Sequence, residues 1–419
     1  MLTTRRSSLL FVTLALHCLF ASSGDWPQWR GPNRNAISDE TAWSSTWPKE
    51  GPKVLWSASI GTGYAAVAIK DGHVLTMGNE KGEDIVWCLD AATGKVIWRF
   101  AYPSELDPHS HAGGPGSTPA IDGGFVYTMS KHAQIHCLDA ATGKVKWTKN
   151  AVTDFGAPKP EWAFSSSPVI SGDTLLLNVF ASGLALNKNT GDVIWKGSGV
   201  SAYASPVLFK IKDGTGAAFF GKETLYGVNL ADEKALWEIP WKTAWGENNP
   251  DPIIVGDQVY ISSGHGLGAA LFKLNEDGKP TRVWENKAFG NHIATSILSD
   301  GFLYGFTGLI HRKPTAEKPY SMSCVDFKTG QTKWTQNDLL GQVMLAGDRL
   351  ILMTTEGELI IVKASPEKYT ELARAKVLES KPSGGKGPPK KCWTVPVLLD
   401  GRLYCRNANG DLVCLDLSK

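Results

Sequence analysis

The most informative absences from this sequence are catalytic signatures, an excess of charge and long apolar runs. None of the motifs GxSxG, HExxH and GxxxxGK[ST] occurs in its 419 residues. The sequence therefore gives no sign of a serine-hydrolase elbow, a zinc-peptidase helix or a phosphate-binding loop. Lys and Arg number 43 against 41 Asp and Glu, and this balance argues against a nucleic-acid partner.

A single apolar run approaches membrane length, and it lies near the N-terminus. After MLTTRRS the chain continues as SLLFVTLALHCLFA, which is too short to span a bilayer but fits the apolar part of a secretory signal. Ala21 and Ser23 are small residues at the two positions that a signal peptidase recognises. We therefore predict a signal peptide over residues 1–23, a periplasmic or secreted protein, and no transmembrane segment in the mature chain.

One octapeptide occurs twice in the chain: CLDAATGK stands at residues 88–95 and again at 137–144. Weaker copies follow, each with an alternating apolar strand, a turn rich in Asp, Thr and Gly, and a second strand that usually ends in tryptophan. Intervals of 42 to 50 residues separate these tryptophans, which are Trp56, Trp98, Trp147, Trp195, Trp237, Trp284 and Trp334. Strand-rich units at this period are typical of propeller blades.

A second unit, two apolar strands around a Gly or Asp turn, occurs eight times, from YAAVAIKDGHVLTMG to TVPVLLDGRLYCRN. With the two strands of the first unit it makes a four-stranded blade, lettered a to d from the axis outward. The eighth copy lacks a d strand, but KVLW at 53–56 ends in the same tryptophan and can replace it. The predicted fold is an all-β, eight-bladed propeller of antiparallel blades over residues 53–419. It is closed by this N-terminal strand and preceded by a lead-in segment, residues 24–52.

We interpret the octapeptide as a structural element. Asp90 and Asp139 can accept hydrogen bonds from amides of the turn, and Gly94 and Gly143 can supply a positive φ. The tryptophan at the end of strand d is large enough to cover the face of a neighbouring blade. The recurrence of these residues therefore requires no ligand.

This pattern resembles the PQQ-like, or quinoprotein-type, propeller repeat, whose signature is Ala, Asp and Thr-Gly followed by Trp at this spacing. The resemblance covers nearly all of residues 53–417 and implies an eight-bladed propeller. Members of the family include periplasmic dehydrogenases that hold pyrroloquinoline quinone (PQQ) on the axis and cofactor-free, BamB-like scaffolds. DWPQWRGPNRNAIS at 25–38 also resembles the lead-in of secreted bacterial PQQ-like proteins. The resemblance specifies the fold more closely than the function.

The loops that would form a ligand site lie on one face of such a propeller. The a-to-b and c-to-d turns share one face, called here the turn face, and the b-to-c and d-to-a loops share the other, called the loop face. The d-to-a loops lead to the innermost strands, so they converge on an axial funnel. The candidate ligand-binding residues are His111, Glu161, Trp162, Tyr203, Trp245, Glu247, Asn248, His292, Lys391 and Trp393. These side chains suit a quinone, a sugar or an extended peptide, or they fill the channel as packing.

A quinone cofactor is only weakly indicated. The resemblance implies that a dehydrogenase would need calcium ligands, a catalytic Asp and, in many members, a disulfide between adjacent cysteines, and this sequence has no such pair. Glu161, Asn248 and Asp251 could supply oxygen ligands for a hard cation, but their spacing follows no motif. We therefore expect no cofactor, with PQQ and calcium as the alternative.

A histidine metal site is a further hypothesis. His109 and His111 could bind a metal together with His292. No Cys or acidic residue stands at metal spacing beside them, so we interpret them as solvated loop histidines and predict no metal site.

One cysteine pair could form a disulfide. If Asn409 and Gly410 are the central residues of a two-residue hairpin, Cys405 and Cys414 form a non-hydrogen-bonded pair across it. Such a pair would allow a disulfide in an oxidising compartment.

The segment AKVLESKPSGGKGPPKK at 375–391 is rich in Pro, Gly and Lys. This composition is typical of a flexible, positively charged loop. It could contact an acidic partner or serve only as a solvated linker.

Together these features favour an exported, monomeric propeller that acts as a non-catalytic binding or scaffolding module. The predicted partner is a protein or an envelope polymer at the loop face. The alternative is an enzyme, a PQQ-dependent alcohol or sugar dehydrogenase with the quinone in the axial funnel. The sequence does not name the partner and does not indicate where the lead-in segment packs.

Overall fold

The computed structural model describes residues 24–108, 111–309, 314–380 and 391–419. The predicted signal peptide, residues 1–23, lies outside these ranges, as do His109 and most of the Lys-rich segment. Strands are the regular secondary structure of the described residues, and they form eight sheets arranged as consecutive blades. Within the described ranges, no helix combines the length and apolar character needed to cross a membrane.

Each of the first four blades is a meander of four consecutive strands. The strands of blade 1 are Ala68–Lys70, His73–Glu80, Glu83–Asp90 and Val96–Pro103; those of blade 2 are Ala120–Asp122, Phe125–Met129, Gln134–Asp139 and Val145–Asn150. The strands of blade 3 are Val169–Ser171, Thr174–Leu177, Leu184–Asn187 and Val193–Lys196; those of blade 4 are Val207–Ile211, Gly214–Phe220, Thr224–Asn229 and Ala235–Pro240.

The next three blades repeat this plan, and the last is completed from the other end of the chain. The strands of blade 5 are Ile253–Val255, Gln258–Ser263, Gly268–Leu274 and Pro280–Asn286; those of blade 6 are Ile297–Ser299, Phe302–Thr307, Ser321–Asp326 and Thr332–Asn337. The strands of blade 7 are Gly341–Ala346, Arg349–Thr354, Glu358–Lys363 and Glu371–Lys376; those of blade 8 are Val397–Leu399, Arg402–Arg406, Asp411–Asp416 and, as strand d, Lys53–Ser59.

The closing strand behaves as the sequence predicts. Lys53–Ser59 pairs antiparallel with Asp411–Asp416, with Trp56 opposite Cys414. The backbone groups at the outer edge of Asp411–Asp416 are therefore paired, and a sheet edge that would otherwise be open is covered. The predicted eight-bladed, all-β propeller closed by an N-terminal strand is confirmed.

The repeated tryptophan links six of the blades to the next one around the ring. The indole nitrogen donates to a backbone carbonyl in the c-to-d turn of the following blade, at 2.8 to 3.0 Å. These pairs are Trp56 with Ala91, Trp98 with Ala140, Trp147 with Lys188, Trp195 with Leu230, Trp284 with Phe327, and Trp334 with Ser365. We call this contact the inter-blade latch. Trp237 occupies the same position, but its indole nitrogen has no hydrogen-bond partner among the described residues.

The octapeptide forms the surface on which the latch closes. The Asp90 carboxylate accepts hydrogen bonds from the amide and hydroxyl of Thr93, at 2.8 and 2.6 Å. Gly94 has φ of 69°, and a Cβ there would lie 2.6 Å from the ring of Trp56. Asp139 and Gly143 repeat both arrangements with Thr142 and Trp98. The turn thus requires glycine for its backbone conformation and also for the indole that packs on it.

The hairpin between the last two strands of blade 8 differs from the prediction by one residue. Tyr404, and not Cys405, lies opposite Cys414, while Cys405 lies opposite Val413. The cause is Asn407, whose side-chain oxygen accepts the amides of both Gly410 and Asp411 and builds a longer turn.

A one-residue change of register sends neighbouring side chains to opposite faces of a sheet. Cys405 and Cys414 are accordingly both free thiols, each buried. The predicted pairing of these two cysteines was wrong.

The lead-in segment packs against the innermost strands. The backbones of Trp26 and Ile69 of blade 1 pair with each other, and the Pro27 carbonyl accepts the Ile121 amide of blade 2. Arg34 donates to the carbonyl of Ile170 in blade 3, at 3.0 Å.

The same segment then reaches blades 7 and 8. Ile37–Ser38 adds a short parallel strand to Gly341–Ala346, the a strand of blade 7. The carboxylate of Glu40 accepts the amides of Asp400 and Gly401 in the a-to-b turn of blade 8. These contacts lie at the turn-face ends of the a strands, so the lead-in segment closes the axial channel from the turn face.

Candidate functional site

A cavity of about 490 Å³ opens on the loop face of the propeller. Eight of the ten candidate ligand-binding residues line it: His111, Glu161, Trp162, Tyr203, Trp245, Glu247, His292 and Trp393. The d-to-a loops therefore converge as the meander topology requires. Whether these side chains bind a ligand is a separate question.

Asn248 is buried away from the cavity and holds loops together. Its amide nitrogen lies 3.2 to 3.3 Å from the backbone oxygens of Gly221, Lys222 and Trp241. Its side-chain oxygen accepts the hydroxyl of Ser263, at 2.8 Å. All of these contacts are within the protein, so Asn248 does not contact the cavity.

Lys391 also lies elsewhere. Its ammonium group pairs with the carboxylate of Glu356 in the b-to-c turn of blade 7, at 2.6 Å. The sequence placed this lysine next to Trp393, which does line the cavity, but their side chains diverge.

The floor of the cavity comes from the lead-in segment. Trp29 lines the cavity, and its indole nitrogen donates to Asp251, at 2.8 Å. The other oxygen of Asp251 accepts the amide of Ser205, and the guanidinium of Arg30 lies 3.8 Å from the carboxylate. Arg30 also donates to the carbonyl of Ser296 in blade 6. The lead-in segment thus makes the funnel a pocket with a closed inner end.

Aromatic rings form much of the wall. Tyr64 and Trp393 are stacked, with ring centroids 5.1 Å apart and planes inclined by 20°. Burial raises the pKa of Tyr64 to about 12, so its hydroxyl is protonated at neutral pH while it accepts the amide of Ala112. Tyr203 similarly accepts the amide of Trp162. These tyrosines hold loop backbone in place as well as presenting ring faces.

Trp245 differs from the other aromatic residues of the cavity because 52% of its surface is exposed to solvent. A large exposed aromatic residue beside a pocket is the kind of residue that interfaces bury. It therefore marks the part of the loop face that is most ready to contact another molecule.

Charged groups occupy one side of the cavity. The Nε2 atoms of His265 and His292 lie 2.7 and 2.8 Å from the same oxygen, Oε2 of Glu247. Burial raises the pKa of Glu247, but the hydrogen bonds and charge of the two histidines outweigh it and hold that pKa well below its usual range. Glu247 is therefore an ionised carboxylate inside the protein.

Lys131 is a second charged group of the cavity. Burial lowers its pKa to about 8, although the charge of Asp107 acts in the opposite direction. Its ammonium group donates to the backbone carbonyl of Asp107, at 2.6 Å.

The calcium ligands that a quinone enzyme would need are not assembled. Asp251 is engaged by Trp29, Arg30 and Ser205. Asn248 is engaged by the backbone of its own and neighbouring loops, and Glu161 is exposed. Calcium prefers six to eight oxygen ligands, and the three residues proposed from the sequence do not supply them together. Glu161, Asn248 and Asp251 therefore do not form a calcium site in this arrangement.

Sequence reasoning missed several lining residues, namely Trp29, Tyr64, Lys131, Asn249, His265 and Gln342. Lys131 and His265 lie in b-to-c turns, which share the loop face with the d-to-a loops. The signal available was a long polar side chain in a short turn, SKHA or SGHG. Trp29 had no such signal, because the lead-in segment does not belong to the repeat.

Comparison with known proteins agrees with this architecture. A family model described as outer membrane protein assembly factor BamB matches residues 34–109 and 83–336. The protein of that name from Bordetella pertussis (strain Tohama I) is 22% identical over 276 residues, covering 62% of this chain and 64% of that protein. The match therefore spans a little under two thirds of that relative.

Solved structures extend the likeness to most of the chain. BamB from Moraxella catarrhalis superposes with a TM-score of 0.61 and 14% identity, covering 87% of this chain and 98% of that one. A europium-containing methanol dehydrogenase gives a TM-score of 0.63 and 13% identity, covering 91% and 89%. At these identities the likeness is one of fold, shared by an assembly factor and an enzyme. Because the family model covers more than half of the sequence, this chain belongs to the family of outer membrane protein assembly factor BamB.

Proposed function

We propose that this chain is an exported, non-catalytic scaffold that binds a protein partner at its loop face. The observation that carries the proposal is the aromatic cavity, which opens on the loop face and is closed at its inner end by Trp29. A closed pocket can hold an inserted segment of a partner, whereas an open channel would not limit its depth. Membership of the BamB family and the predicted signal peptide support the same assignment.

The chemistry of the lining favours an extended peptide. Ring faces of Trp162, Tyr203 and Trp393 offer apolar contact, and polar residues such as Ser165 and Asn249 line the same cavity. Aromatic anchors seated in pockets dominate protein interfaces. The exposed Trp245 at this face would be covered by the partner. An envelope polymer is the other partner class that the sequence allows.

The geometry gives a dehydrogenase less support than a scaffold. Asp251 and Asn248, which a calcium-bound quinone would recruit, are committed to internal contacts. The likeness to a methanol dehydrogenase is a likeness of fold.

The proposal is tested by site-specific photocrosslinking in cells that produce the full chain. A benzophenone amino acid replaces Trp245 on the loop face or Val96 on the turn face, and both native side chains are 52% exposed. We expect a discrete protein adduct from position 245 and none from position 96. Mass spectrometry then identifies the adduct.

Three results would overturn the proposal. Equal adducts from both positions would mean that contact depends on exposure alone. Absence of adducts from position 245 would mean that the loop face has no protein partner. An adduct whose added mass is glycan would replace the protein partner by an envelope polymer.

A further inference from the structure

Three side chains from three different loops meet at one point of the cavity wall. His265 and His292 direct their Nε2 atoms to Oε2 of Glu247, at 2.7 and 2.8 Å. The ligand atoms of the three residues lie within 4.8 Å of one another. The imidazole rings are 5.2 Å apart between centroids and inclined by 81°, so they approach the carboxylate from different directions.

The cluster is buried but still reaches the cavity. The exposed fractions of the side chains are 6% for His265, 11% for Glu247 and 6% for His292. All three residues also line the cavity. One side of the cluster therefore faces protein, and the other faces the space that a ligand would occupy.

The backbone holds His265 in an uncommon conformation. Its φ is 58°, a region that a residue with a side chain enters at a cost of about 1 to 2 kcal/mol. Gly264 precedes it, and a Cβ at that position would lie 3.1 Å from the ring of His292. In the b-to-c turn of blade 5, the two imidazole rings therefore approach each other through a strained backbone at His265 and the absence of a side chain at Gly264.

Neighbouring contacts fix the other two residues. The side chain of Asn249 donates to the carbonyl of His292, at 2.9 Å. Asn248, which follows Glu247, is anchored to Ser263 and to three backbone carbonyls. The donor atoms are therefore placed by rigid loops before any ligand binds, which is what a metal site requires.

The donor set itself points to a metal class. Two imidazole nitrogens and one carboxylate oxygen are ligands that zinc accepts, with a fourth position left for water or another ligand. In a tetrahedral site, zinc–nitrogen and zinc–oxygen bonds of about 2.0 to 2.2 Å place ligand atoms about 3.3 to 3.6 Å apart. The two nitrogen–oxygen distances in the cluster, 2.7 and 2.8 Å, are those of hydrogen bonds, so the three side chains must separate by about half an ångström to admit the ion. Calcium and magnesium prefer oxygen ligands and would be poorly served.

We propose that Glu247, His265 and His292 form a binding site for a divalent ion of the zinc class, with its open coordination position facing the cavity. A carboxylate or hydroxyl group of a molecule in the cavity could complete the coordination. The proposal goes beyond the scaffolding function and does not depend on it, because metal binding requires no partner.

The test uses the full mature chain, freed of metal by a chelator and titrated with Zn²⁺ by isothermal titration calorimetry. We expect one ion per chain, and a loss of affinity of more than about 100-fold in His265→Ala and in His292→Ala, since changes outside the first shell already cost 10- to 100-fold. Glu161→Gln is the matched control, because it removes a carboxylate that lines the same cavity but lies outside the cluster. It should bind Zn²⁺ as the unmodified chain does.

Cobalt provides a readout that surface binding does not give. Co²⁺ in the site should show the intense visible absorption of four- or five-coordinate cobalt, and Glu247→Gln should abolish it. Thermal unfolding without metal checks that each variant is folded, and a variant that fails this check is replaced by His265→Gln or His292→Gln. The proposal is overturned if Zn²⁺ binds the unmodified chain and the histidine variants equally, or if the chain binds neither ion. Crosslinking at Trp245 is measured separately, so either proposal can fail alone.

Discussion

The two faces of this propeller are built on opposite plans. On the turn face, a turn with Asp, Thr and Gly recurs in several blades, and six of the turns accept a hydrogen bond from a tryptophan of the preceding blade. On the loop face, each connection has its own sequence, and the cavity is lined by a different side chain from almost every blade. Repetition here records a packing requirement that all blades share. The loops that differ from blade to blade form the face at which the protein could bind one ligand or partner selectively.

The sharpest way to break this comparison is to remove one tryptophan from each face. Trp98→Ala deletes a buried latch and should lower the free energy of unfolding by about 3 to 5 kcal/mol. Trp245→Ala removes an exposed ring and should change it by no more than about 0.5 kcal/mol. Urea denaturation monitored by circular dichroism measures both. Similar losses in the two variants would mean that the loop face is also a packing surface.

The free energy of unfolding should fall in acid because His136 is buried between two blades. Burial lowers the pKa of His136 to about 4, and the ring lies among Phe100 and Tyr102. Above pH 6.5 this histidine is neutral in both the folded and unfolded chains. Below it, the unfolded chain takes up a proton that the folded chain resists, so stability falls as pH falls, by about 2 kcal/mol between pH 6.5 and 5.

His136→Phe should remove that part of the acid dependence. Urea denaturation of the variant and of the unmodified chain at pH 7.5 and pH 5 measures the difference. An unchanged pH dependence would place the loss of stability elsewhere in the chain.

Two glycines with positive φ allow the cost of backbone strain to be measured apart from the cost of a contact with the indole ring. Gly94→Ala must strain the backbone and displace the ring of Trp56, at a cost of about 2 to 4 kcal/mol. Gly72 has φ of 74° and open space around it, so Gly72→Ala should cost only the strain, about 1 to 2 kcal/mol. Thermal melts of both variants give the difference. Equal costs would show that the indole moves aside freely.

The smallest effect concerns a single hydrogen bond. Trp195 donates to Leu230, whereas the indole nitrogen of Trp237 has no partner among the described residues. Replacement by phenylalanine should therefore cost about 1 kcal/mol more at Trp195 than at Trp237. Denaturant titration of the pair measures this difference. A larger loss at Trp237 would indicate that its latch forms in another way.

The sequence was sufficient to predict the features that are encoded by repeated motifs. Eight copies of one strand pair and regular tryptophan spacing predicted the blades, and KVLW predicted the closing strand, because each signal is local and recurs. The meander topology alone predicts that the d-to-a loops share one face. For this reason the sequence predicted that His111, Trp162 and Trp393 lie near one another.

The errors arose where a single side chain decides the outcome. Asn407 lengthens one hairpin and moves Cys405 away from Cys414. Asn248 turns inward because three backbone carbonyls are within its reach. The contact of His265 with Glu247 and His292 depends on a left-handed backbone at His265, which no repeat predicts. Such features depend on tertiary contacts, and one sequence does not display them.

The placement of the lead-in segment has a consequence for the order of folding. Its partners in blades 7 and 8, and the partner of the closing strand, lie far along the chain from residues 37–59. Contacts between segments that are distant in the chain form late, because the entropic cost of closing a long loop comes before the contacts can stabilise the fold. The blades can therefore assemble in sequence, while the lead-in segment and the closing strand pair with blades 7 and 8 only after those blades have formed. The floor of the cavity is then completed only when the ring is, so a partially folded chain would lack the finished pocket.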